Sequence, residues 1–262
     1  MLAMMSPNEM FRLDDRVALI AGGGGAIGAA IGAAFAQAGA KVVLMGHSAH
    51  NTEAAAQRIG ANALAVVADA TSEQECEAAV AQAVSRFGRL DIVVNAVGGG
   101  AGKVLHNAEE YPRDDWDWIF ELNLRSTVVA TQAAVKQMIA AGNGGKVLNL
   151  VSVRAFLGIN AGYSAYVAAK GAVASLTRQW ATEWAKHAIN VNAISPTFVD
   201  TPQVATLLGD PKFKADIVSR IPLGRVGTTD DLIGPAIFLC SDAAQFVTGQ
   251  ILGIDGGLTA TQ

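Results

Sequence analysis

Charge is scarce in this chain: Asp, Glu, Lys and Arg make up 16% of its 262 residues, against 51% hydrophobic. Disordered segments need the reverse balance, so the composition predicts a packed globule. Basic runs are missing and the net charge is −4, which removes the electrostatic footprint that a nucleic-acid partner requires. Cysteine is nearly absent. Cys76 and Cys240 cannot build a disulfide framework and have no metal-ligand spacing, a usage that suits a reducing cytoplasm. His47 and His50 lack a third ligand, so a surface turn is expected there and no metal. Pro/Ser linkers, low-complexity tracts and fixed-period repeats are missing too. Residues 1–262 therefore read as one domain. Residues 1–15 read as a partly frayed lead-in without the apolar core of a signal peptide.

One uncharged stretch, Val17 to Ala40, is long enough on paper to span a bilayer. It contains Gly22, Gly23, Gly24 and Gly25 in succession, and each would cost a continuous helix about 1 kcal/mol relative to alanine. A strand, a glycine turn and a helix account for the same residues better, and no membrane partner is expected.

The rest of the chain continues in that rhythm. Val17–Ala21, Lys41–Met45, Ala63–Ala68, Leu90–Asn95, Lys146–Val151, Ile189–Ile194 and Gln250–Ile254 are short runs, apolar on both faces, as buried parallel strands are. Between them Ala26–Ala38, Thr52–Ile59, Ser72–Phe87, Pro112–Ala141, Ala165–His187 and Thr229–Ser241 read as helices. Gly39, Gly60, Gly88 and Gly142 stand where helices should stop. The alternation predicts an α/β, doubly wound Rossmann fold of about seven parallel strands with helices on both faces. Two long insertions, Gly98–Tyr111 and Pro196–Gly227, follow strands at the edge where such sheets bind ligands.

The first strand runs into Gly22-Gly23-Gly24-Gly25-Ala26-Ile27-Gly28 and then a helix. Glycines there permit a tight turn and let backbone N–H groups approach a pyrophosphate at the helix N-terminus, so a dinucleotide is the expected cofactor. Asp69, ahead of Ala70 at the end of the third strand, is either an acceptor for an adenine amino group or part of a helix N-cap near Ser72. Asn95, ahead of Ala96, either braces backbone near the cofactor or forms a plain turn. The second strand ends Leu44-Met45-Gly46-His47-Ser48, with no carboxylate before Glu53. A carboxylate there would select NAD(H). Gly46 leaves room, and His47 and Ser48 can donate to a 2′-phosphate, so NADP(H) is favoured over NAD(H), although that turn holds no Arg or Lys.

Tyr166 and Lys170 lie four residues apart, hence on one face of a helix. A free phenol, with a pKa near 10, is a poor base at neutral pH, and an adjacent cation would bring it into range. Lys170 can also bond ribose hydroxyls. Ser152 follows an apolar strand, so its hydroxyl should sit at the carboxyl edge of the sheet and hold a substrate oxygen. Asn123 is mid-helix, an unfavourable place for asparagine. Its alternatives are an exposed helical residue or a water site linked to Lys170.

Together these residues resemble the short-chain dehydrogenase/reductase family, from Arg16 to Gly257. The glycine motif matches at Gly22 and Gly28, with Ala21 and Ala26 replacing a threonine and the middle glycine. Asn95-Ala96-Val97-Gly98 stands for the family's Asn-Asn-Ala-Gly, and the Ser152-to-Tyr166 interval is about one residue longer than is common. The resemblance implies Asn123, Ser152, Tyr166 and Lys170 as the catalytic set. It also implies that the Pro196-Thr197 segment, with Val199 and Thr201, contacts the carboxamide and pyrophosphate. A homotetramer or homodimer packed through helix Ala165–His187 and the last strand is likewise implied. The expected activity is hydride transfer between NAD(P)(H) and a small-molecule carbonyl or secondary alcohol, with Tyr166 as general acid and base. Candidate substrate walls are Gly99–Leu105, Arg154–Tyr163 and Thr197–Leu208. The rivals are a non-catalytic dinucleotide-binding redox sensor and a nucleotide-sugar epimerase or dehydratase, whose relatives usually carry a larger C-terminal region.

Overall fold

The computed structural model describes residues 6–261. Seven strands, β1 (Val17–Ala21), β2 (Lys41–Gly46), β3 (Ala63–Val67), β4 (Ile92–Asn95), β5 (Gly145–Leu150), β6 (Ile189–Pro196) and β7 (Ile251–Ile254), form one parallel sheet. Their order is β3-β2-β1-β4-β5-β6-β7, so the chain reverses its winding between β3 and β4. That switch opens a crevice at the carboxyl ends of β1 and β4.

Alternate residues of each strand feed two cores. Leu19, Val43, Val93, Val147 and Val191 face one layer, built with Ala79 of α4 (Glu73–Phe87), Ala130 of α6 (Ser126–Ala141) and Trp180 of α7 (Ser164–Trp184). Ile20, Leu44, Val94, Leu148 and Ile194 face the other, with Phe35 of α2 (Ala26–Gln37) and Leu239 of α10 (Asp230–Cys240). Burial on both faces explains why the strands lack the polar alternation of a half-wet sheet. The remaining helices are α1 (Pro7–Met10), α3 (Ala49–Ile59), α5 (Arg113–Phe120), α8 (Ala205–Leu208) and α9 (Pro211–Ser219). No helix among the described residues is long and apolar enough to cross a membrane.

One expectation needs correction, and two segments carry more structure than the sequence reading gave them. The lead-in is ordered from Ser6: a capping box links Ser6 and Glu9, Leu13 is buried, and Phe11 packs 6.2 Å from Phe238. Its first five residues lie outside the described residues. The helix expected over Pro112–Ala141 is α5 and α6 joined by a π turn, Glu121–Arg125. Within that turn the Asn123 amide donates to the Ile119 carbonyl (3.0 Å), and the Ser126 hydroxyl donates to the Leu122 carbonyl (2.6 Å). Such bonds compete with the helical ladder. Finally, the insertion after β6 contains α8 and α9, the latter begun by Asp210 capping Lys212 and Phe213 ahead of Pro211.

Candidate active site

The glycine loop is held by backbone packing. Gly22 has φ +84°, and a Cβ there would lie 2.7 Å from the Ala96 carbonyl; a Cβ on Gly28 would run into the Gly22 carbonyl. Both positions thus require glycine, which seats the start of α2 against the β1 turn. Gly25 is the N-cap and has no side chain to cover the helix end. The first intrahelical donor is Ala29, to Gly25. The N–H groups of Ala26, Ile27 and Gly28 precede it and are the helix's own unsatisfied donors, a row suited to a phosphate.

At the neighbouring turn the structure corrects the reading of Gly46. The space where its Cβ would lie is filled by the Thr52 hydroxyl, 2.7 Å away, and Gly24 has the same hydroxyl 2.8 Å from its Cβ position. Thr52 Oγ1 donates to the Ser48 carbonyl at 2.8 Å. Ser48 N-caps α3, accepting from Asn51 N–H, while His47 is exposed beside it. Asp69 is exposed. Its Oδ1 accepts from both the N–H and the hydroxyl of Thr71 (2.8 Å each), and Ser72, not Asp69, caps α4. Ala70, next in the chain, is buried.

Asn95 ends β4 as a buried junction, donating to Thr131 Oγ1 (2.7 Å) and Asn149 Oδ1 (2.8 Å). Its own Oδ1 is sealed without a protein partner, and so is Thr197 Oγ1 just past β6. Pro196, Val199 and Thr201 line the same edge, where Val199 pairs with Gly227. Orphaned polar atoms here, with the open donors of α2, fit a dinucleotide laid across the carboxyl edge.

The four catalytic candidates meet beyond this edge. Asn123 clasps Gly99: its Oδ1 accepts from Gly99 N–H at 2.8 Å and its Nδ2 donates to the Gly99 carbonyl at 3.0 Å. Lys170, only 4% exposed, donates to the Leu150 carbonyl at 3.0 Å, and its Nζ lies 5.8 Å from the Tyr166 ring centroid. Gly98 packs between the Asn123 amide and the Lys170 ammonium. Ser152 starts the turn after β5, where its hydroxyl oxygen accepts from the Arg154 N–H at 3.2 Å.

The electrostatics differ from the sequence expectation. Burial pushes the Tyr166 phenol up to about 12, and the groups opposing that rise are the Ser152 hydroxyl and the Arg154 guanidinium. Lys170 is not among them. Its own burial brings its ammonium down to about 8, and its proton is directed at Leu150. The sequence reading reaches Arg154, Tyr163 and Gln203 only as members of the expected substrate walls, with no individual role for any of them. Arg154 is buried and Tyr163 stands edge-on to Tyr166 with ring centroids 6.2 Å apart. Gln203 reaches Gly98.

A glycine-capped helix end and a Ser-Tyr-Lys-Asn cluster on a switched parallel sheet define a nicotinamide-dependent oxidoreductase. The sequence model of a family described as Enoyl-(Acyl carrier protein) reductase matches residues 23–259. A 2-dehydro-3-deoxy-D-gluconate 5-dehydrogenase of Escherichia coli is 38% identical over 95% of this chain and 98% of its own. A D-threitol dehydrogenase of Mycolicibacterium smegmatis is also 38% identical, over 95% of each chain. The crystal structure of a gluconate 5-dehydrogenase from Burkholderia cenocepacia, in complex with NADP and tartrate, superposes with a TM-score of 0.90 at 35% identity, covering 98% of this chain and all of that one. The chain belongs to the short-chain dehydrogenase/reductase family and is an NAD(P)-dependent enzyme.

Proposed function

We propose that this enzyme interconverts a small polyhydroxylated alcohol and its ketone, using Tyr166 as the proton carrier and NADP(H) in preference to NAD(H). The observation that carries the reading is the convergence of Ser152, Tyr166, Lys170 and the Asn123–Gly99 clasp beyond the carboxyl ends of β4 and β5. A bound nicotinamide supplies or accepts the hydride. Tyr166 takes the proton from the substrate hydroxyl in oxidation and returns it in reduction, while Ser152 holds the substrate oxygen as its charge changes. Lys170 and Asn123 keep the Gly98–Gly99 backbone in place, and Lys170 is positioned for the ribose hydroxyls. Gly22, Gly24, Gly25, Ile27 and Gly28 hold the pyrophosphate; Asp69, Ala70, Asn95 and Ala96 flank the adenosine half; Pro196, Val199 and Thr201 flank the nicotinamide half.

The NADP(H) preference rests on exposed His47, on the Ser48 hydroxyl and on the lack of a carboxylate at Gly46, and a relative's complex with NADP supports it. We read 1–262 as one domain acting in the cytoplasm, where its two buried free cysteines stay reduced. Assembly as a homotetramer or homodimer is supported by the open edge of β7, where Leu252 is 40% exposed and Phe246 lies fully in solvent nearby. Initial rates with a panel of polyols, sugar acids and their keto forms, using each cofactor in turn, test the reading. Turnover of none of them, with either cofactor, overturns it.

A further inference from the structure

Arg154 does not belong to the proton machinery, yet it is the most unusual charge in the molecule. It sits two residues past Ser152, in the turn Val153–Ala155, and is only 7% exposed. No carboxylate pairs with it among the described residues; the ion pairs of the chain lie elsewhere. Of its five N–H donors, the hydrogen bonds account for one, from Nη1 to the Gly158 carbonyl at 2.9 Å. None of its remaining nitrogens is among the sealed, unpartnered polar atoms of the described residues, so they keep some exposure. Its backbone N–H donates to the Ser152 hydroxyl oxygen at 3.2 Å, which places it beside the reacting groups, and its charge acts on the Tyr163 and Tyr166 phenols. Arg220, at the C-terminal end of α9, is near enough to raise the cost of the Arg154 charge, and among the described residues its guanidinium meets only Asp216, through the carbonyl at 3.4 Å and the carboxylate at 3.8 Å.

A buried guanidinium without a counter-ion is costly, and an anionic ligand offsets that cost. Arginine's planar fork matches a carboxylate in a way that neutral hydroxyls do not. We propose that Arg154 is a substrate-binding residue that takes the carboxylate of a hydroxy or oxo acid, with Arg220 adding positive field from α9, so that the enzyme prefers sugar acids to uncharged polyols. The inference deepens the reading of Tyr166 as the reacting group and rests on it for the orientation of the substrate. The carboxylate docks at Arg154 and Tyr163, and the carbinol meets Ser152 and Tyr166.

The test uses the full-length enzyme with saturating NADP. Aldonates of four to six carbons, each matched with the alditol of the same length, are titrated by calorimetry and assayed for turnover. The wild type should bind and turn over at least one aldonate at least tenfold better than its alditol. Arg154→Met should lower that acid-to-alditol ratio by about 10- to 100-fold, the range for losing charge-assisted hydrogen bonds. Arg154→Lys should recover part of it, chiefly in KM. Circular dichroism and NADPH binding confirm that each variant is folded. A wild-type ratio near one, or a ratio that both variants leave unchanged, overturns the proposal and returns Arg154 to tying its loop through Gly158. Acid-selective binding that survives in Tyr166→Phe supports Arg154 independently of turnover. Acid-selective binding without any wild-type turnover sinks the proposed polyhydroxylated alcohol substrate and leaves Arg154 standing.

Discussion

The two ends of the cleft are built on different principles. At the cofactor end the geometry is made by backbone: Gly22 and Gly28 exist as glycines because carbonyl groups occupy the space a side chain would take, and Thr52 fills the hollow between Gly24 and Gly46. Charges are few there, and the groups on offer are helix donors that any phosphate could use. At the substrate end the side chains decide. Arg154, Tyr163 and Tyr166 come from one turn and one helix, and Arg220 from another. A cofactor common to many reactions is served by main-chain atoms, and a particular substrate by replaceable side chains. The cofactor end should thus fail through sterics and the substrate end through charge and proton transfer.

The largest effect is expected at the substrate end. Tyr166→Phe deletes the proton carrier while keeping the ring, so turnover should fall on the order of 10²- to 10⁴-fold with NADPH binding intact, as steady-state kinetics and fluorescence titration would show. Near-normal turnover would break the comparison at once.

Lys170 lies between the two ends and gives a pH signature. Its ammonium is brought down to about 8 in the fold, against about 10.5 in an unfolded chain. A lysine whose pKa falls on folding destabilises the protein while both states are charged, below pH 8. The penalty fades as pH rises from there toward 10.5. Relative to Lys170→Met, wild-type stability in urea should therefore gain on the order of 3 kcal/mol between pH 7 and pH 10. The variant should be the more stable protein at pH 7 and the poorer enzyme. A pH-independent difference would place Lys170 in solvent.

Sterics should dominate at the other end. Gly28→Ala pushes a methyl group into the Gly22 carbonyl, and overpacking of this kind costs about 1–3 kcal/mol. Thermal unfolding should register the loss, and cofactor affinity should drop about tenfold while the acid-to-alditol ratio holds. The smallest effect concerns cofactor choice. Gly46→Asp alone should weaken both cofactors, because its Cβ meets the Thr52 hydroxyl. Combined with Thr52→Ala, the carboxylate should fit and turn the preference toward NADH. If Gly46→Asp alone switches the preference cleanly, the packing argument for this turn is wrong.

Some of this architecture was readable from residue order. Apolar runs with no polar alternation marked parallel strands buried on both faces, and Gly22–Gly28 between a strand and a helix marked the tight turn that opens α2. The Tyr166–Lys170 spacing marked a shared helix face. Local periodicity and glycine placement carry such features, because each depends on neighbours within one or two turns of chain. The π turn at Asn123 was only hinted at by an asparagine in mid-helix, and the Asp210–Pro211 start of α9 was overlooked within a long insertion. The pKa of Tyr166 went the other way from the simple pairing argument. Sequence spacing places Lys170 beside the phenol, but burial of both groups and the Leu150 carbonyl determine where the charge acts.

By itself, then, the sequence determined the alternation of elements, the glycine turn and the helix that carries Tyr166 and Lys170, since short-range sterics and hydrophobic periodicity suffice for these. Only the tertiary structure decided that Arg154 is buried beside the phenols without a counter-ion, that Thr52 fills the hollow at Gly46, and that Asn123 clasps Gly99. Each of those contacts joins segments whose approach depends on how the helices pack over the sheet. Desolvation and close packing are properties of that assembled space, and no local pattern encodes them.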